Sequence, residues 1–329
     1  MSPLEIFGSM IAQYKYYFDI KIPELTPIKD VNKIIICGMG GSAFPAEIVI
    51  DHIREKYKRE IVFLNRDYEL PYWVDQNTLV IASSFSGSTE ETLSCMNEAL
   101  KRKIPVLGMS MGGEISRICS ESKLPYISLP KVVMPRFGAG FMTAAILRVA
   151  YELKLIPQQD EEINNIDILI SPLIVNIQKT TEALSKKIKE RIISIYTDSY
   201  NISAGNIAKI CINETGKTIG YNNIYSESNH NELASFQHTP YPHAMLLLSY
   251  PGINNRILER FSLMPQLTED RNIIFEKINC NFENIFYRDI YFTIFFSYLS
   301  YYIAIESGYD PVATPTQDRI KTILKSIKG

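Results

Sequence analysis

Thr78-Leu79-Val80-Ile81-Ala82-Ser83-Ser84-Phe85-Ser86-Gly87-Ser88-Thr89-Glu90-Glu91-Thr92 reads as a strand, a turn and the opening of a helix. Thr78 to Ser83 is the short apolar run that a strand buried on both faces requires. Beyond the turn, Leu93, Met96 and Leu100 recur at helical spacing. A strand, a tight turn and a helix in direct succession form the unit of a parallel α/β sheet. The turn holds Ser84, Ser86, Ser88 and Thr89. A helix cap needs one such hydroxyl. Several of them, with the unpaired N–H groups and partial positive charge of a helix N-terminus, suit a phosphate. The turn contains no lysine, which excludes the nucleotide-type GxxxxGK[ST] loop. Neutral hydroxyls match a monoester phosphate held without metal, as on a sugar phosphate.

The same rhythm extends in both directions. After a first amphipathic helix over about Pro3 to Asp19, strands are expected at Lys33–Cys37, Ile61–Asn65, Leu79–Ser83, Pro105–Met109 and Pro125–Leu129. Short connections between them imply a doubly wound parallel sheet with ligands beyond the carboxyl ends of its strands. Pro130 to Arg136 links to a helix from about Gly140 to Leu155, and the polar stretch Pro157 to Asn165 reads as a linker. A chain of 329 residues exceeds the size at which one core keeps growing. Two domains are therefore expected, 1–157 and 158–329. The second repeats the order with a helix over Ile166–Glu190, strands at Ile192–Tyr196, Met245–Ser249 and Asn272–Phe275, helices at Ser203–Ile212 and Asn255–Phe261, and closing helices Ile285–Ser307 and Gln317–Ile327.

A composition of 46% hydrophobic and 21% charged residues is that of an ordinary globular enzyme. The net charge of −2 argues against broad nucleic-acid or anionic-membrane binding, both of which need a basic surface. Met1 to Phe18 carries Glu5, Gln13 and Lys15 and shows no signal pattern. Ile290 to Ile305 is interrupted by Thr293, Ser297 and Ser300 and reads as a buried helix. Five scattered cysteines with no CxxC pair suit reduced thiols in a cytoplasmic protein.

A second turn, Gly38-Met39-Gly40-Gly41-Ser42-Ala43, follows the first strand but does not complete the dinucleotide pattern GxGxxG. Only Asp67 keeps a nicotinamide-cofactor reading open. Gly41 and Ser42 are expected instead to give close backbone approach and another hydroxyl to the same phosphate. Arg136 stands in the apolar, Gly/Ala-rich stretch Met134-Pro135-Arg136-Phe137-Gly138-Ala139. A guanidinium there needs a partner, either a carboxylate across a domain boundary or a developing oxyanion. Asn213-Glu214-Thr215-Gly216-Lys217 and Asn229-His230-Asn231-Glu232 supply a carboxylate and an imidazole, the two groups that proton transfer in sugar isomerisation requires. His52, His238 and His243 show that a lone histidine carries little weight. No HxH, HExxH or Cys/His spacing is present, so no metal and no cofactor are expected.

Together, Gly38 to Ser42, Ser84 to Thr92, Pro135-Arg136, Asn213-Glu214, Asn229 to Glu232 and Asp310-Pro311-Val312-Ala313-Thr314-Pro315 resemble the archaeal-type bifunctional phosphoglucose/phosphomannose isomerases, of the sugar isomerase (SIS) domain superfamily. The resemblance runs from about residue 30 to the C-terminus. It implies two SIS-type doubly wound αβα domains packed together. It also implies that Gly41, Ser42, Ser84, Ser86 and Thr89 hold a sugar 6-phosphate and that Glu214 moves the C1/C2 proton. His230 would open the ring, in its own or a partner subunit's site of a homodimer, and Arg136 would stabilise an enediolate. Thr314 would border C3, and a lysine of the last helix, Lys321 or Lys325, would join the site. A SIS module that binds a sugar phosphate without turnover is the alternative, yet it has no need of Glu214, His230 and Arg136 together. An aminosugar synthase would need an ammonia source, and the sequence carries no glutaminase domain.

Overall fold

The computed structural model describes residues 3–25, 30–237, 240–268 and 272–327. Its chain divides into two compact units. One comprises Met1–Val175, Tyr250–Gly252 and Cys280–Ile294; the other comprises Asn176–Ser249, Ile253–Asn279 and Phe295–Gly329. Against the expected division at 157/158, the first unit runs 18 residues further and takes up two later segments.

The first unit contains α1 (Pro3–Gln13), α2 (Tyr16–Asp19), β1 (Lys33–Cys37), α3 (Phe44–Tyr57), β2 (Val62–Asn65), β3 (Thr78–Ser83), α4 (Glu90–Lys101), β4 (Val106–Ser110), α5 (Gly113–Glu121), β5 (Tyr126–Ser128), α6 (Ala139–Glu152) and α7 (Asp160–Ile170). Its five strands are all parallel and ordered β2-β1-β3-β4-β5. Ile34 pairs with Leu79 and Cys37 with Ala82. All of β3, and β1 from Ile34 onward, is buried, as apolar runs covered on both faces must be. From β1 the chain proceeds outward to β2, then returns to β3 and continues the other way. The sheet thus reverses direction between β1 and β3, where α/β folds bind ligands.

The segment Pro157–Asn165, expected as a linker, is helical from Asp160. Its acidic residues Asp160, Glu161 and Glu162 fill the first turn of α7, where carboxylates favour the positive helix end. Ile163, Ile166 and Ile170 form its buried stripe. The single helix expected over Ile166–Glu190 is instead α7, a 3-10 turn at Ser171–Leu173 holding Pro172, and α8 (Ile174–Ile188). Proline cannot donate within a helix, so it sits at the interruption.

The second unit adds β6 (Ile192–Thr197), α9 (Ile202–Glu214), β7 (Gly220–Ile224), α10 (Tyr225–Ser228), β8 (His243–Ser249), α11 (Asn255–Leu267) and β9 (Ile273–Asn279). These strands are parallel in the order β7-β6-β8-β9. The helix α12 (Ile285–Glu306) contributes its first ten residues to the first unit and the rest to the second, and α13 (Pro315–Ser326) follows. Among the described residues no helix is long and apolar enough to cross a membrane. The five cysteines are buried and none is in a disulfide.

Candidate active site

In the first unit the expected residues converge on the carboxyl edge of β1 and β3. The Ser84 hydroxyl lies 2.8 Å from Thr89 Oγ1 and 3.3 Å from Ser86 Oγ. It also accepts from Gly87 N at 3.1 Å, and Ser86 Oγ accepts from Ser88 N at 3.3 Å. Thr89 is the N-cap residue of α4, but its side chain makes no capping bond. These hydroxyls bond one another at a helix N-terminus, an arrangement in which an anion can exchange for weak neutral contacts. Ser42 joins the first turn to this cluster. Its hydroxyl accepts from Phe85 N at 3.1 Å, and its carbonyl accepts from Ser83 Oγ at 3.1 Å.

Gly41 is fixed by close packing. A Cβ there would stand 2.5 Å from Arg136 N and 2.8 Å from Arg136 Cα, so only glycine lets the two turns meet. The close approach expected of Gly41 is thus to the 3-10 turn Pro135–Phe137, which carries Arg136 to the cradle. Arg136 is 2% exposed, and its guanidinium lies over the Phe137 ring, 4.9 Å from the centroid. Burial of that kind makes a guanidinium a strong electrostatic group for an oxyanion. Gly41, Ser42, Ser84, Ser86, Thr89 and Arg136 therefore form one cluster.

Sequence reasoning missed the third turn of this edge. Met111 N donates to Phe85 O at 3.0 Å and Ile115 N to Gly87 O at 2.9 Å, so the loop after β4 buttresses the serine turn. Gly87 adopts φ +66° against Gly112, whose carbonyl occupies the space a side chain would take. Its signal was Gly112-Gly113 between a strand and a helix, the pattern already met after β1.

In the second unit, Glu214 is the last residue of α9 and half-buried. It lines a cleft of about 740 Å³ with Asn213, Lys217, Tyr221, Ala313 and Thr314. Lys217 holds the two sides together, its Nζ donating to Glu214 O at 2.5 Å and to Ala313 O at 2.6 Å. Thr314 stands at the N-cap of α13 without a side-chain capping bond, so its hydroxyl is not consumed by the helix. Lys321, two turns into α13, is exposed and is not among the residues lining this cleft; the side chain of Lys325 lies outside the described residues.

His230 is not beside Glu214. Gly220 N donates to Asn213 Oδ1 at 2.7 Å, which sets Glu214 at the amino end of β7. His230 follows α10, beyond the carboxyl end of the same strand. The four residue steps of β7 alone separate those ends by roughly 13 Å. His230 is exposed, unlike two other histidines. His52 is buried 2.7 Å from Gln159 Oε1, and burial pushes it down to about 4. His243 is bonded to Ser194 Oγ at 2.8 Å and burial pushes it down to about 4 as well. His238 lies outside the described residues. Among the described residues no group of three or more His, Cys, Asp or Glu could hold a metal ion.

One expected result follows from the cradle. Ser84→Ala removes the hydroxyl that touches Ser86, Gly87 and Thr89, and should chiefly raise KM for phosphorylated sugars. A hydrogen bond to a charged group is worth about 1.5–3 kcal/mol, or roughly 10–150-fold in affinity. Steady-state kinetics of the variant check this, and an unchanged KM moves the phosphate elsewhere.

The chain is similar to known proteins along most of its length. The model of the bacterial phospho-glucose isomerase C-terminal SIS domain matches residues 177–324. The bifunctional phosphoglucose/phosphomannose isomerase of Thermoplasma acidophilum is 30% identical over 282 residues, covering 85% of this chain and 86% of that one. The enzyme of the same name from Aquifex aeolicus is 27% identical over 304 residues, 92% of each chain. Among solved structures, the C-terminal domain of glucosamine-fructose-6-phosphate aminotransferase from Francisella tularensis superposes with a TM-score of 0.70 at 17% identity, covering 94% of this chain and 97% of that one. That likeness carries the fold alone, parallel α/β sheets covered by helices, and the family model gives residues 177–324 as a SIS domain. On the strength of the first relationship, which spans most of both sequences, the chain belongs to the family of bifunctional phosphoglucose/phosphomannose isomerases.

Proposed function

We infer that this chain is an aldose–ketose isomerase that interconverts glucose 6-phosphate and fructose 6-phosphate, and mannose 6-phosphate as well. The observation that carries the reading is the convergence of Ser42, Ser84, Ser86, Thr89 and Arg136 at one sheet edge, in a chain related over most of its length to enzymes of that name. The phosphate anchors the substrate, and binding there orients the reacting carbons.

The roles of individual residues are proposals on that basis. The Glu214 carboxylate takes the C2 proton of the open-chain aldose, and the electron pair of the C–H bond forms the C1–C2 double bond of a cis-enediolate. Arg136 stabilises the negative oxygen. The carbon-bound proton returns to C1, and a hydroxyl proton passes from O2 to O1, which leaves the ketose. No electrons enter or leave, so the step needs no redox partner. His230 moves the proton that opens the ring. The separation of Glu214 and His230 across β7 supports a homodimer in which His230 of the partner subunit serves each site. Lys321 is retained as a further cation at the site by resemblance. We place the enzyme in the cytoplasm, where its substrates are made, with neither nucleic acid nor membrane as partner. The hydroxyl cradle belongs to the first unit, and Glu214 and His230 belong to the second.

A coupled assay of fructose 6-phosphate conversion tests the function. Glucose 6-phosphate and mannose 6-phosphate should both form, with EDTA present or absent. Absence of turnover would leave only a sugar-phosphate-binding protein, and loss in EDTA would overturn the metal-free reading.

The two aldoses differ only at C2, so they share one planar enediolate. Delivering the proton to the other face of C2 requires rotation about C2–C3 and hence room beside C3. Thr314, short and uncommitted to capping, is proposed to leave that room. Thr314→Gln should cut mannose 6-phosphate formation far more than glucose 6-phosphate formation. The ratio of the two activities in wild type and variant measures it. An unchanged ratio removes Thr314 from this role.

A further inference from the structure

The four residues Asn229-His230-Asn231-Glu232 are put to unequal use. Asn229 Nδ2 donates to Tyr225 O at the start of α10. Asn231 Nδ2 donates to Glu227 Oε1 at 3.0 Å, and its Oδ1 accepts from Glu232 N at 2.6 Å. The backbone is tied as well, His230 N donating to Glu227 O at 2.9 Å and Asn231 N to Ser228 O at 3.3 Å. Among the described residues the His230 ring makes no hydrogen bond, and the residue is exposed.

Glu232 is held from the sheet itself. Tyr196 and Asn223 are register partners on β6 and β7, one residue short of each strand's carboxyl end. Register partners share one face of a sheet, so both side chains reach the same carboxylate. Tyr196 Oη donates to Glu232 Oε2 at 2.9 Å, and Asn223 Nδ2 donates to Oε1. Each oxygen is thus gripped by its own neutral donor, and bonds to a carboxylate are of the stronger kind. Tyr196 is buried; burial, with the Glu232 carboxylate beside it, pushes the phenol up, so it stays a donor. Behind the grip, Phe236 is buried with Tyr196, Tyr225 and Phe261, and Leu233 packs against them. The turn bearing His230 leaves the sheet through α10, which fixes its start. The grip on Glu232 fixes its end.

We propose that Glu232 is a positioning residue for His230: clamped by Tyr196 and Asn223, it sets the turn so that the imidazole meets the ring oxygen of the sugar. This deepens, and rests on, the reading of His230 as the ring-opening group. Glu232 itself moves no proton. A shift of about 1 Å in a positioned group can cost on the order of 10²-fold in rate, so the clamp matters to turnover.

The test compares two substrates of the full-length enzyme, fructose 6-phosphate and 5-deoxyfructose 6-phosphate, which lacks the oxygen that closes the ring. Glu232→Ala should lower kcat/KM for fructose 6-phosphate by about 10–100-fold and leave the open-chain substrate near its wild-type value. Tyr196→Phe, which removes one donor of the clamp, should show the same preference with a smaller loss. Glu232→Gln keeps an oxygen for the clamp and should retain most activity. The double variant Glu232→Ala/His230→Ala should be no worse than His230→Ala, because both act at one step. Thermal unfolding of each variant accompanies the kinetics. Equal losses on both substrates would mean that Glu232 serves the fold or the carbon chemistry, and the proposal is wrong. A Glu232→Gln variant as impaired as Glu232→Ala would make the carboxylate a catalytic group and overturn it too. If Glu232→Ala is unimpaired while His230→Ala loses only the cyclic substrate, the proposal fails and His230 keeps its role. If His230→Ala shows no such preference, the ring-opening reading fails and this proposal with it.

Discussion

Glu214→Gln is expected to lower kcat by roughly 10²–10⁴-fold, the contribution typical of a general acid–base group. The change keeps the shape of the side chain and its hydrogen-bonding reach but removes the group that accepts the proton. KM should stay near the wild-type value, because the substrate is anchored by its phosphate and not by the base. Equal losses in kcat and kcat/KM mark an interaction made only in the transition state. The half-buried position at the C-terminus of α9 is suited to a base, since the carboxylate lines a cleft that a ligand can enter. Lys217 Nζ donates to the backbone carbonyl of Glu214, a tie that the glutamine variant leaves in place. A variant with more than about a tenth of wild-type kcat would fall well short of this loss and would exclude Glu214 as the base.

The parts of the molecule that could be read from the sequence are those where one rule dominates. β1, β3 and β8 are unbroken apolar runs, because a parallel sheet covered on both faces tolerates little else. The hydroxyl cradle is contiguous in sequence, so Ser84, Ser86 and Thr89 announce themselves. β7 escaped notice because Gly220-Tyr221-Asn222-Asn223-Ile224 is an edge strand with two asparagines and little apolar content. Missing β7 hid the most informative fact about Glu214 and His230, which stand at its opposite ends. α7 was misread as a linker because its acidic first turn resembles a solvated segment until Ile163, Ile166 and Ile170 are set at helical spacing. The return of Cys280–Ile294 to the first unit depends on contacts between residues far apart in sequence, which no local pattern records. Arg136 was legible only as an anomaly, a charge among glycines and apolar residues. Its placement against Gly41 needed the structure.

Two inactive variants, Glu214→Gln and His230→Ala, are expected to restore activity to each other when their chains are mixed. In one chain the two side chains lie beyond opposite ends of β7, a separation of roughly 13 Å from the strand alone. A base and a ring-opening group acting on one six-carbon sugar must approach atoms only a few bonds apart. A closed twofold dimer resolves this by letting each site take Glu214 from one chain and His230 from the other. Each homodimer of a single variant then has two damaged sites. A mixed dimer has one site with both defects and one with none. Random pairing of equal amounts gives half mixed dimers with one good site each, so about a quarter of wild-type activity should return. Co-expression of two differently tagged chains, followed by purification through both tags, isolates the mixed dimer and should bring the yield to about half of wild type. A mixture no more active than its two components would mean that Glu214 and His230 serve the same chain or that His230 has no part in the reaction. His230→Ala measured alone on a sugar phosphate fixed in the open-chain form distinguishes these two outcomes, because a histidine needed only for ring opening leaves that substrate's turnover intact.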